Sequence, residues 1–184
     1  MTSLRENLSE NTDSPKRVML VVGEASGDFY GAQVARRLLE QDPALDVFGI
    51  GGENLKRAGM NIVFDVSRVT GMGFIEVIGN LKNLWQGFRL PQQLLRKKRP
   101  DLLILIDFPE FNLRLARLAK KLGVPVLYYI SPQAWAWRRQ RTRQIARLVS
   151  RIAVVFAFEV PIYENEAAPV TFVGHPLLEL VHTT

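Results

Sequence analysis

Cysteine is absent from this sequence, which excludes disulfides and thiolate metal sites together and is consistent with a reducing compartment. Histidine is almost absent too: His175 and His182 are the only two, too few for a histidine-based metal site. No apolar run approaches the roughly 20 residues that cross a bilayer. The opening "MTSLRENLSENTDSPK" is polar and carries acids, unlike a signal peptide. These absences lead us to expect a cytoplasmic protein in which residues 1–16 are a disordered tail and residues 17–184 fold as one unit.

Acidic residues are missing from two stretches. Leu81–Pro100 holds six basic residues and no acid, and Arg138–Arg151 holds six arginines and no acid. Together they account for 12 of the 24 cations, leaving 12 against all 18 acids, so the formal charge of +6 conceals a negative remainder. Charge concentrated in this way implies an anionic partner.

What is present is an ordinary globular balance, 47% hydrophobic and 23% charged, enough for one sizeable core. Apolar runs bounded by turn residues fall at Val18–Val22, Val47–Ile50, Ile62–Phe64, Leu102–Ile106, Val126–Ile130, Ile152–Phe156 and Val170–Val173, with helical patterns between them. Short continuous apolar strands alternating with helices predict an α/β fold, a Rossmann-like doubly wound parallel sheet covered on both faces.

In such sheets ligands collect beyond the carboxyl ends of the strands. Four of the loops there are rich in polar chemistry: "GEASGD", "DFPEFN", "SPQAWAW" and "GHP". The first has glycines at Gly23, Gly27 and Gly31, a spacing that does not match a dinucleotide loop. Its Glu24 and Asp28 would also repel phosphate while accepting hydrogen bonds from hydroxyl or amide groups, as on a sugar. The plainer reading is that Ser26 or Asp28 caps a helix over Phe29–Glu40, and likewise that Asp107 and Ser131 cap helices.

Ile78, Leu81, Leu84, Trp85 and Phe88 recur at helical spacing beside the basic run Arg96, Lys97, Lys98 and Arg99. This describes either a packed helix with solvated cations or an interfacial helix whose aromatics and cations meet anionic lipid. The stretch "RRQRTRQIARL" has the charge to grip nucleic acid, but no nucleic-acid module accompanies it, and nucleic acid is not the expected partner.

Five motifs in order, "GEASGD", "GMGFIEVIGNL", "IDFPEFN", "YYISPQAWAWRRQR" and "FVGHP", resemble the amino-terminal half of the lipid-A-disaccharide synthase family, over nearly all of the chain from Arg17 onward. The resemblance implies the first domain of a two-domain GT-B glycosyltransferase of lipid A biosynthesis that works without a metal or other cofactor. Such an enzyme joins UDP-2,3-diacylglucosamine to 2,3-diacylglucosamine 1-phosphate, inverting the anomeric centre and releasing UDP. It would lie peripherally on the anionic inner membrane. By the same resemblance Asp107 is the general base, and Glu24, Ser26, Gly27, Asp28, Met72, Asn112, Ser131 and His175 bind substrate. Gly27 would allow close approach of a sugar. The family continues into a second domain holding most of the UDP site, whereas this sequence stops at Thr184. The alternative is therefore a non-catalytic lipid- or sugar-binding acceptor domain that needs a separate donor domain.

Overall fold

The computed structural model describes residues 15–66, 81–131 and 139–178, with backbone only for 81–88 and 139. All seven predicted strands form: β1 (Arg17–Val22), β2 (Asp46–Gly51), β3 (Asn61–Asp65), β4 (Leu102–Ile106), β5 (Val126–Tyr129), β6 (Arg151–Val154) and β7 (Val170–Phe172). Six helices are described between them: α1 (Ala25–Gln41), α2 (Glu53–Arg57), α3 (Leu81–Lys98), α4 (Pro109–Leu122), α5 (Arg139–Leu148) and α6 (Glu159–Glu164). Every pairing is parallel, and the strand order is β3-β2-β1-β4-β5-β6-β7.

The continuous apolar runs are explained by burial on both faces. Val18, Leu20 and Val22 of β1 point with Ile104 and Ile106 toward α1 and α2, where they meet Ala32, Ala35 and Leu55. Met19 and Val21 point the other way with Phe48, Leu103 and Leu105, toward Leu95 of α3, Leu115 of α4 and Ile145 of α5. Each large aliphatic side chain so enclosed contributes about 1.5–3 kcal/mol.

Strand ends differ from the sequence expectation where the backbone turns out of the sheet. Ile130 was expected to close β5, but it has φ 54° and leaves the ladder, although its N–H still donates to the Ala153 carbonyl at 3.1 Å. Helix α1 starts at Ala25 rather than Phe29, and its N-cap, Glu24, makes no side-chain capping bond. The predicted capping roles of Ser26 and Asp28 in this helix are therefore corrected: both lie inside its first turn.

Candidate active site

The strand order switches direction between β1 and β4, the place where open parallel sheets of this kind hold their binding crevice. Register sets what borders it. Val22 pairs with Ile106 and Ile106 with Tyr129, which puts Gly23, Asp107 and Ile130 side by side at three adjacent strand ends.

Asp107 and Phe108 have φ of 49° and 44°, left-handed conformations that cost an ordinary residue roughly 1–2 kcal/mol each. The strain is held in place from behind. The Asp107 carbonyl oxygen accepts from Asn112 Nδ2 at 2.6 Å and from the Tyr128 hydroxyl at 2.7 Å, while Asn112 Nδ2 also donates to the Ile106 carbonyl at 3.2 Å. The half-buried Asp107 carboxyl titrates above its ordinary value. Desolvation is the main cause and the charge of Glu110 adds to it, against the Phe108 N–H, which lowers it. Glu110 is in turn paired with Arg141 of α5 at 2.5 Å.

The other residues singled out in the sequence separate into three groups. Glu24 and Ser26 are exposed on the rim, at the amino end of α1. Asp28, Gly27 and Asn112 are buried and engaged with the protein itself. The Asp28 carboxylate accepts from the amides of Gly52 at 2.6 Å, Asn54 at 3.0 Å and Leu55 at 3.3 Å, so it caps α2. Gly27 allows close approach of α1 to the sheet, since a β-carbon there would lie 3.3 Å from Val22 and 3.7 Å from Ile106.

Ser131 is buried too, with its hydroxyl directed to Glu159 Oε1 at 3.4 Å. Glu159 also accepts from the Phe156 amide at 3.2 Å, and its charge adds to the burial that pushes the Tyr163 phenol up to about 12. His175 is half-buried between Tyr30 and Phe156, at ring separations of 6.0 and 5.6 Å. Its Nδ1 accepts from the Leu177 amide at 3.2 Å, which in the neutral ring leaves the proton on Nε2. The ring row continues to Phe29 beside Tyr30 and to Phe158 stacked on Phe156. Met72 lies outside the described residues.

Sequence reasoning missed Tyr128, Tyr30 and Glu159. Tyr128 had a signal, a hydroxyl inside an otherwise apolar strand, and so did Glu159, an acid within the apolar stretch "FAFEVPI".

The basic run is not at the crevice. Lys98 pairs with Asp46 at 3.5 Å and lies 4.2 Å from the Phe48 ring centroid, and Arg99 donates to the Leu122 carbonyl at 3.2 Å. These partners stand at the amino end of β2 and the carboxyl end of α4, the end of the domain away from Asp107. Arg96 and Lys97 are exposed there. Trp85 and Phe88 belong to the amino-terminal half of α3, and their side chains lie outside those described. Among the described residues no helix is long and apolar enough to cross a membrane.

This sheet and crevice define a Rossmann-like domain of the kind that forms one half of a GT-B protein. Two solved structures share the fold at low identity. UDP-GlcNAc 2-epimerase from Neisseria meningitidis, bound to UDP-GlcNAc, superposes with a TM-score of 0.62 at 12% identity, over 90% of this chain and 48% of that one. A UGT from Glycyrrhiza uralensis, complexed with glycyrrhetinic acid 3-O-monoglucuronide, superposes with a TM-score of 0.58 at 14% identity, over 93% and 50%.

Residues 18–184 match the lipid-A-disaccharide synthetase family, and the chain belongs to it. Lipid-A-disaccharide synthase from Geobacter metallireducens is 51% identical over 166 residues, covering 90% of this chain and 43% of the relative. The Geobacter sulfurreducens protein of the same name is 50% identical over 177 residues, covering 96% and 46%. The chain thus spans less than half the length of the curated relatives it matches.

Proposed function

We propose that this chain supplies the acceptor-side half of a glycosyltransferase of lipid A synthesis, with Asp107 as its general base. The observation that carries the reading is the partly desolvated Asp107 carboxyl at the β1/β4 crevice, on a backbone pinned in a strained conformation. A carboxylate whose affinity for protons is raised by burial is better suited to taking a proton in the transition state than an ordinary, fully solvated one.

In the reaction, an acceptor hydroxyl within roughly 2.6–3.2 Å of Asp107 gives up its proton as its oxygen attacks the anomeric carbon of the UDP-activated diacylglucosamine. The new C–O bond forms with inversion as the bond to UDP breaks, and UDP leaves with the electron pair. The acceptor is a diacylglucosamine 1-phosphate, with Glu24 and Ser26 on the rim available to its hydroxyls. The base needs no metal for this step. The donor would be held by a complementary domain, and the protein would work against an anionic membrane surface, where its acylated substrates reside.

The test combines this chain with the complementary half of a full-length relative and measures UDP release. Asp107→Asn is expected to lower kcat by about 10²–10⁴-fold while the acceptor KM changes little. Turnover within about threefold of wild type would overturn the assignment. Acceptor binding by calorimetry with no turnover in any such assembly would instead favour a non-catalytic binding domain.

A further inference from the structure

We infer that Tyr128 is a positioning residue for Asp107, acting through the Asp107 main-chain carbonyl rather than through its carboxylate. The inference rests on the proposed role of Asp107 and extends it to a residue that touches no substrate.

Three observations converge on it. Tyr128 is fully buried, at 0% exposure, in a sheet whose other core positions are filled by hydrocarbon, and its hydroxyl crosses from β5 to the end of β4 to donate at 2.7 Å. A buried hydroxyl without a partner is costly, so this donor and its acceptor hold each other. The acceptor belongs to a residue with φ 49°, followed by another with φ 44°. With Asn112 Nδ2 at 2.6 Å on the same oxygen, the carbonyl has two donors, one for each lone pair.

Fixing that carbonyl fixes the plane of the 107–108 peptide and hence the direction of the Asp107 Cα–Cβ bond. The two hydrogen bonds to that oxygen offset the left-handed strain. Removing one leaves the fold but lets the peptide relax, and the carboxyl then moves toward solvent. A displacement on the order of 1 Å can cost roughly 10²-fold in rate.

Tyr128→Phe deletes the hydroxyl and keeps the ring, and Asn112 still satisfies the carbonyl. Tyr163→Phe is the control, the loss of a second buried phenol that makes no hydrogen bond to Asp107. Two readouts separate positioning from a merely structural effect.

Carboxyl ¹³C NMR of the chain alone should show the Asp107 titration in Tyr128→Phe moved down toward the ordinary carboxylate range, and unchanged in Tyr163→Phe. In the assembly with the complementary domain, Tyr128→Phe should lower kcat at least tenfold with acceptor KM within about twofold, and should add nothing further in an Asp107→Asn background. An unmoved Asp107 titration, or a rate loss equal in the two backgrounds, would overturn the inference. Failure of Asp107→Asn to lower turnover would sink the general-base reading instead, and the NMR shift would still report the structural coupling.

Discussion

The ring of Phe108 lies directly over the α-carbon of Gly23, so close that a β-carbon at position 23 would fall 2.3 Å from the ring. The loops after β1 and β4 are thereby locked together beside Asp107. Gly23→Ala should displace Phe108 and with it the strained Asp107–Phe108 pair, costing about 1–3 kcal/mol as overpacking. Chemical denaturation is the measurement, and an unchanged midpoint would show that the ring can move aside freely.

Asp28 and Glu24 stand four residues apart in one motif, yet the structure predicts opposite behaviour. Asp28→Ala leaves three amides at the start of α2 without their acceptor and should cost about 2–3 kcal/mol. The exposed Glu24→Ala should change stability by less than about 0.5 kcal/mol and act on acceptor binding alone. Denaturation and calorimetry on both variants check this.

Raised titration of Asp107 has a definite sign for stability. Its folded value lies above its unfolded one, so in the window between them the folded state binds more protons and stability falls as pH rises. Above that window the cost of the buried charge persists. Asp107→Asn should therefore be more stable than the wild type at neutral pH, with the difference closing as the solution is acidified below the ordinary aspartate value. Melting temperatures from pH 3 to 8 test it, and a constant difference across that range would contradict it.

For the membrane, the geometry narrows the choice of cations. Lys98 and Arg99 already have protein partners, so Arg96 and Lys97 are the residues of the run to change. If the surface meets anionic lipid, Arg96→Gln with Lys97→Gln should weaken vesicle sedimentation by roughly 1 kcal/mol per charge, about tenfold or more for the pair. Trp85→Ser with Phe88→Ser separates interfacial from core roles: loss of vesicle binding with an unchanged melting curve supports the former, loss of stability the latter. Lys98 stands thirteen positions along the helix from Trp85, about 20 Å. Independent effects of the two variants would show that they do not share one contact surface.

The seven strands and their layer architecture were legible in the sequence because a parallel strand buried on both faces must be apolar at every position, as Met19 to Val22 are. The rim followed from the same pattern, since polar residues such as Glu24 and Asp107 begin where the apolar runs stop. Partner choice was not legible. Asp28 finds its amides 24 to 27 residues further along, the glycines of "GEASGDFYG" serve helix packing against Ile106 and the ring of Phe108, and the basic end of α3 is carried to the face opposite the crevice. Tyr128 reaches Asp107 only because β4 and β5 are neighbours in register. A hydrogen bond depends on positions within about 3 Å in space. Local sequence determines which groups are offered, and the tertiary fold alone decides which of them meet.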